Sequence, residues 1–329
     1  MDWQFTIFLS IVGLSYIYAF FSGVGDAANA LATTVASRAL TLQKAIYLGF
    51  SLQFLGALAG TGVALTISKG LVDLNQINLE VVLSAVLAML IWSAITYYYS
   101  IPVSDTHSLV GSLLGAALAW HGREVLLWSG VVIVLLAMLF SPILGLFGGY
   151  LGSKVVTKIT HFQKTTKMRH LFKNLQIVMA AFTSFSNGLN NGQKPMGLII
   201  MALTLYYGSN QDILPFWVIL SVAFVQAIGV IYGARLIKTV GLKIAKVSPE
   251  QGFSAQASAV FVLQLASWFG IPISSTQVIT TALVGASVSR RFSSVRWVLV
   301  QDIIRSWFLT LPVSFGFGFV ISSLLNWFV

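Results

Sequence analysis

Cysteine is absent from this 329-residue chain, histidine occurs only four times, and charged residues make up 9% of it. Without cysteine there is neither a disulfide framework nor a thiolate metal site. The four histidines form no HExxH or comparable metal-binding spacing, and no phosphate-binding P-loop is present, which argues against a metalloenzyme and a nucleotide-driven pump. No paired carboxylates or Ser/His arrangement supports an intramembrane enzyme either. The shortage of charge excludes the most. Ordinary soluble domains carry about 25% charged residues, so this chain lacks the polar surface that water requires.

What fills the sequence is apolar: 57% of residues are hydrophobic. Stretches of about 18 or more mostly apolar residues recur along the whole length, each long enough to cross a bilayer. The expected class is therefore an all-α polytopic (multi-pass) protein of the cell membrane. The net charge of +10 does not point to nucleic acid, because the Lys and Arg residues cluster in short loops, as the positive-inside rule predicts. The first apolar run, Phe5 to Phe21, has no basic residue ahead of it and no cleavage site, so it is expected to be a true span rather than a signal peptide.

Expected full spans are 4–22, 43–68, 79–100, 125–152, 195–208, 214–235, 253–270 and 298–327. Gly, Pro, Ser and Asn interrupt four more segments at membrane depth, 22–37, 101–119, 175–194 and 271–289, which are expected to be broken or re-entrant. The long polar connection, 153–174, carries Lys154, Lys158, Lys164, Lys167, Arg169 and Lys173. It separates 1–152 from 175–329, and these halves repeat each other. Ile101-Pro102-Val103-Ser104-Asp105-Thr106-His107 matches Ile271-Pro272-Ile273-Ser274-Ser275-Thr276-Gln277. Gly115-Ala116 and Gly285-Ala286 follow at equal distance, and Gly23-Val24-Gly25-Asp26 matches Gly188-Leu189-Asn190-Asn191 more loosely. The two motif pairs keep nearly the same separation, 79 positions from Gly23 to Pro102 and 84 from Gly188 to Pro272.

Loop charge predicts the relative orientation of the halves. The second half has basic loops with Arg235, Lys238, Lys243 and Lys246, then Arg290, Arg291 and Arg296, whereas the equivalent loops of the first are almost neutral. Equivalent loops of opposite bias belong on opposite sides of the membrane. The repeats are thus expected to have inverted topology, with 153–174 in the cytoplasm and both termini outside. Arg38 and Lys44 sit against that bias.

Inverted repeats with broken helices are the architecture of secondary transporters. Half-helix N-termini offer N–H donors and a positive dipole to an anion, while freed carbonyls and Asp and Asn oxygens can hold a small cation. In Ser22-Gly23-Val24-Gly25-Asp26-Ala27-Ala28-Asn29-Ala30, an intramembrane carboxylate is expensive and points to function; the plainer alternative is a helix cap at the water interface. Asn29 lies one helical turn beyond Asp26. In Ser186-Asn187-Gly188-Leu189-Asn190-Asn191-Gly192-Gln193-Lys194-Pro195, Lys194 is either an anion partner or a snorkelling interfacial lysine. Pro102 and Pro272 suit helix starts. Ser104, Thr106, Ser274, Ser275 and Thr276 then crowd the first turns, as a cradle for a tetrahedral oxyanion or as N-caps alone. Asp105 would repel an adjacent anion unless it points away, binds a cation or titrates. Asp302 and Arg305 form a candidate structural ion pair, and Gln256 and Gln264 are either interhelical hydrogen bonds or part of a permeation path.

At these residues the sequence resembles the inorganic phosphate transporter (PiT) family. That family carries a GANDxANA-type motif in each half, matched by Gly23-Val24-Gly25-Asp26-Ala27-Ala28-Asn29-Ala30 and Gly188-Leu189-Asn190-Asn191-Gly192-Gln193-Lys194. Its PVSTTH motifs resemble Pro102-Val103-Ser104-Asp105-Thr106-His107 and Pro272-Ile273-Ser274-Ser275-Thr276-Gln277. Gln251-Gly252-Phe253-Ser254-Ala255-Gln256 and Trp307-Phe308-Leu309-Thr310-Leu311-Pro312 extend the likeness over essentially the whole chain.

The resemblance implies a carrier that takes up inorganic phosphate with Na⁺ or H⁺ by alternating access, without a resident cofactor. It implies a cation and substrate centre of Asp26, Asn29, Asn190 and Asn191, with Asp26 and Asn191 the Na⁺ ligands if sodium is the coupling ion; Asp105, where the sequence departs from the family, is a further cation-binding candidate on its charge alone. It implies phosphate contacts from Ser104, Thr106, Ser274, Ser275 and Thr276; Asn29, Asn190, Gln193 and Lys194 are further candidate substrate ligands. Lipid and a second copy of the chain are further candidate partners. The sequence departs from the family at Gly25 for Asn, Asn191 for Asp, Asp105 for Thr or Ser, and Gln277 for His. These departures keep sulfate, a passive channel and a sensor open as alternatives. Hydrogen phosphate, unlike sulfate, carries an O–H that needs an acceptor such as Asp26 or Asp105, which favours phosphate.

Overall fold

The structure, a computed structural model, describes residues 2–99, 103–160, 165–208, 213–237 and 248–328. Pro102, Lys164, Lys238, Lys243 and Lys246, singled out above, lie outside the described residues. In chain order the helices are α1 (Trp3–Ala36), α2 (Leu42–Leu58), α3 (Gly62–Lys69), α4 (Leu79–Tyr98), α5 (Asp105–His121) and α6 (Trp128–Thr160). They continue with α7 (Thr165–Asn191), α8 (Gln193–Tyr207), α9 (Phe216–Tyr232), α10 (Pro249–Trp268), α11 (Ser275–Val288) and α12 (Trp297–Phe328). Among the described residues the only β pairing is one isolated bridge between Val72 and Leu126.

Four helices, α1, α4, α6 and α12, are single apolar rods long enough to cross a membrane, and α2 with α3 forms a fifth span bent by 60°. The faces of α6 and α12 are lined with exposed Ile133, Leu136, Phe140, Phe147 and Leu151, and with Phe308, Leu309, Val320 and Leu324. That exposure suits hydrocarbon and would be costly in water. α8 is the opposite case: every residue from Gln193 to Thr204 is buried. Its 15 residues reach only about 22 Å at 1.5 Å per residue, short of the roughly 30 Å hydrocarbon core. Gly192, the single residue between α7 and α8, is itself right-handed helical and donates to the Gly188 carbonyl at 3.0 Å, so the expected span 195–208 is the buried continuation of α7 and not a separate crossing.

Two further expectations change. The break expected in 22–37 is absent, since α1 runs unbroken through Gly23, Gly25 and Asp26. Alanine supports the helix there, and Gly23 serves close packing: a Cβ on it would lie 2.0 Å from the Gln226 carbonyl oxygen of α9. The break falls instead within 43–68, at Gly60-Thr61-Gly62, between α2 and α3. The polar connection 153–174 is also mostly helical, with α6 continuing to Thr160 and α7 starting at Thr165. Gln256 and Gln264 are interhelical tethers, the first donating to the Ala30 carbonyl (2.9 Å) and Thr33 Oγ1 (3.2 Å), the second to Ser186 Oγ (3.0 Å). Asp302 and Arg305 do pair, at 3.7 Å, but both are largely exposed.

The order of elements from α4 onward recurs later in the chain. α4, α5, a 3₁₀ turn at Arg123–Val125 and α6 are followed in the second half by α10, α11, a 3₁₀ turn at Phe292–Ser294 and α12. α4 and α10 have 20 residues each, and α6 and α12 each carry an internal proline, Pro142 and Pro312. The packing is exchanged between halves as well. α1 crosses α9 where Gly23 meets the Gln226 carbonyl, and α7 crosses α2 where Gly188 meets the Gln53 carbonyl, with ideal Cβ distances of 2.0 and 2.1 Å. α5 packs on α12 through Gly115 and the Phe315 carbonyl, and α11 packs on α6 through Gly285 and the Leu146 carbonyl. Small residues at these crossings let backbones approach closely, the usual basis of helix association in lipid.

Candidate functional site

The chemistry-bearing residues meet where the first turns of α5 and α11 face the end of α7 and the start of α8. Ser104 and Ser274 are extended N-cap residues whose hydroxyls accept from the His107 and Gln277 amides, each at 3.3 Å. The helices thus begin at Asp105 and Ser275, with Pro272 lying before the cap and not within the first turn. The backbone N–H groups of Asp105, Thr106, Ser275 and Thr276 have no acceptor among the described residues, as expected for first-turn amides. The two helix starts touch: Thr106 Oγ1 donates to the Ile273 carbonyl at 2.9 Å. Two positive dipole ends therefore converge.

Beside the start of α11 sits Asp26, 3% exposed. The Asn191 amide nitrogen donates to both of its carboxylate oxygens, at 2.7 and 2.8 Å, and also to Ser275 Oγ at 2.8 Å. Ser275 Oγ and Gln226 Nε2 approach Asp26 more loosely, each at 3.4 Å. Lys194, in the first turn of α8, is 2% exposed and so does not snorkel to an interface. Its ammonium donates to Thr106 Oγ1 at 2.7 Å, to the Ile273 carbonyl at 3.2 Å, and to Asn191 Oδ1. A lysine has three N–H donors, and all three are spent on protein oxygens. The Asp105 carboxylate makes no hydrogen bond among the described residues but acts electrostatically on Lys194 and on buried Tyr18. With Asp26, Asp105 and Lys194 all charged, one negative charge is in excess.

The sequence-derived candidates therefore separate. Asp26, Asn191, Lys194, Thr106 and Ser275 form one connected network. Asn29 and Thr276 pair beside it, with Asn29 Nδ2 donating at 2.9 Å and leaving the Thr276 O–H free as a donor. Asn190 turns to Ser267 Oγ on α10 at 3.2 Å. Gln193 leaves the cluster altogether: its Oε1 accepts from the Val63 and Ala64 amides at 2.7 and 3.2 Å, capping the broken-helix start of α3. Sequence reasoning missed Gln226 and Tyr18. The signal for Gln226 was present, since it is the one amide side chain in the apolar helix Phe216–Tyr232.

Two amides that approach Asp26 have oxygens without a donor, Asn187 Oδ1 and Gln226 Oε1, and Asn190 Oδ1, whose nitrogen turns to Ser267, lacks one as well. With the Asp26 carboxylate they offer the hard oxygen ligands a sodium ion takes. No group of three or more His, Cys, Asp or Glu among the described residues could hold a metal.

A model of the phosphate transporter family matches residues 22–318. The chain belongs to that family. It is 36% identical to the "Probable low-affinity inorganic phosphate transporter" of Bacillus subtilis (strain 168), with 99% of each chain covered. Its likeness to the protein of the same description from Rhizobium meliloti (strain 1021) is 33%, over 94% of each. Among solved structures, "The sodium-dependent phosphate transporter" superposes with a TM-score of 0.90 at 25% identity, covering 98% of this chain and 100% of that one. As a member of the phosphate transporter family, the chain is a multi-pass membrane transporter rather than an enzyme.

Proposed function

We propose that the protein carries inorganic phosphate across the cell membrane as a cation-coupled symporter working by alternating access, with 1–152 and 175–329 acting as two inverted repeats joined by a cytoplasmic 153–174 segment. The observation that carries this reading is the convergence of two half-helix N-termini on a buried, hydrogen-bonded carboxylate. The free amides of residues 105, 106, 275 and 276 and the Thr276 hydroxyl are donors suited to a tetrahedral oxyanion. The excess negative charge at Asp26 and Asp105 excludes an anion until a cation enters. A cation at Asp26, held with the unpaired oxygens of Asn187, Asn190 and Gln226, removes that barrier and couples the two movements. The Asp105 carboxylate, free of hydrogen bonds among the described residues, is the acceptor for the O–H of hydrogen phosphate, which sulfate lacks.

The exchanged packing of α1 with α9 and α2 with α7 supports a two-fold related pair of units that can rock against each other around the fixed centre. The phosphate named for the relatives in Bacillus and Rhizobium, and the sodium named for the structural neighbour, support the substrate and the class of coupling ion. The test is uptake of labelled phosphate into proteoliposomes, with Na⁺ and pH gradients imposed separately and sulfate as competitor. Accumulation driven by one gradient and little affected by sulfate is expected. Sulfate transport in preference to phosphate would reassign the substrate, and passive flux indifferent to both gradients would make the protein a channel.

A further inference from the structure

Lys194 is an anomaly in the site just described. It is the sixth residue after Gly188, and its counterpart, the sixth after Gly23, is the neutral Asn29. A lysine meant to grip phosphate would keep at least one N–H pointed at open space. This one points all three at uncharged protein oxygens: the Thr106 hydroxyl, the Ile273 carbonyl and the Asn191 amide oxygen. Thr106 in turn gives its own proton to Ile273, so neither group retains a donor for a ligand. The oxygens come from α5, from the segment entering α11 and from the end of α7, so the shell is assembled from both halves. A neutral oxygen shell drawn from several elements is how a protein holds a dehydrated monovalent cation. Here the charge arrives on a side chain.

We infer that the Lys194 ammonium is a tethered cation standing in the place of a mobile coupling ion, so that this carrier moves one cation fewer per phosphate than it would with a neutral residue at 194. The inference rests on the phosphate-symport reading above and specifies its stoichiometry. The ammonium offsets one of the two carboxylates, Asp26 and Asp105, permanently, and it cannot leave with the cargo because its stem is fixed in α8. Only the remaining negative charge is left for an ion from solution.

The test is Lys194→Asn, which restores the residue type of the counterpart position and replaces the ammonium with an oxygen ligand. In proteoliposomes, the charge moved per phosphate is measured from the voltage that halts net flux, together with the dependence of rate on Na⁺. The variant is expected to move one more positive charge per phosphate and to depend on Na⁺ with one further power of concentration. Unchanged charge and unchanged Na⁺ dependence would overturn the inference. Because the variant could lose flux altogether, thermal unfolding of both purified proteins is titrated with NaCl against choline chloride. A sodium-specific rise in Tm larger in the variant than in the wild type supports the tethered cation, and equal responses overturn it. A wild type that moves no phosphate would refute the symport reading instead, leaving the thermal titration to decide this point alone.

Discussion

Gly23→Ala and Gly25→Ala place the same methyl group on the same helix, two residues apart, and should act in opposite directions. At Gly23 the added Cβ would lie 2.0 Å from the Gln226 carbonyl oxygen, 2.9 Å from its carbon and 3.2 Å from the Gly229 Cα. All three are backbone atoms, so no side chain can rotate aside. Ordinary contact begins at 3.4 Å, so α1 and α9 must part by more than an ångström at their crossing, or the helix must bend. Overpacking of this kind costs about 1–3 kcal/mol, and the displacement falls one turn from Asp26. At Gly25 nothing lies within 4 Å, and replacing a mid-helix glycine by alanine contributes about 0.5–1 kcal/mol of stability. Gly188→Ala, with a Cβ 2.1 Å from the Gln53 carbonyl, should reproduce the loss seen at Gly23 because it is the related crossing in the other half. Thermal unfolding in one detergent reads all three. The expected order is Gly25→Ala at or above wild type, then wild type, with Gly23→Ala and Gly188→Ala together below it. A Gly23→Ala protein as stable as Gly25→Ala would refute the close-approach explanation of these glycines.

Thr106→Val removes the acceptor of one Lys194 N–H and one of the two donors to the Ile273 carbonyl, which keeps the Lys194 ammonium; one buried charged donor left unpaired costs about 1–3 kcal/mol or more, so Tm should fall more than in any single surface variant. Gln193→Ala strips the acceptor from the Val63 and Ala64 amides and should cost about 1–3 kcal/mol of stability with KM for phosphate unchanged; a KM effect without destabilisation would return Gln193 to the substrate site. Thr276→Val deletes a hydroxyl whose proton is free, and loss of one hydrogen bond to a charged ligand, about 1.5–3 kcal/mol, should raise KM roughly tenfold or more in uptake assays.

Much of this site was legible because its parts recur. The Pro-hydroxyl motifs placed two helix starts, and an aspartate among alanines and glycines marked the charge beside them. What the sequence hid were the uses of particular residues. Gly23 and Gly188 resemble turn residues in a linear reading, yet they permit backbones to cross, a property of the partner helix and invisible in their own segment. The Gly60-Thr61-Gly62 break sits inside an apolar stretch whose hydropathy is that of a simple span. Gln193 shares a motif with Asn191 and Lys194, but its direction on α8 delivers it to α3 instead. Lys194 could be placed near the anion by its motif, while its three neutral acceptors come from residues distant in sequence.

The central claim is that Asp26, beside the start of α11, couples a cation to phosphate. The direct measurement is the time course of labelled phosphate in proteoliposomes holding wild type or Asp26→Asn, under the cation gradient that drives the wild type. Transient accumulation above the external concentration in the wild type, and none in a folded Asp26→Asn, is the predicted result. Equal accumulation by both would show that the carboxylate does not couple the transport, and the account built on it would fail.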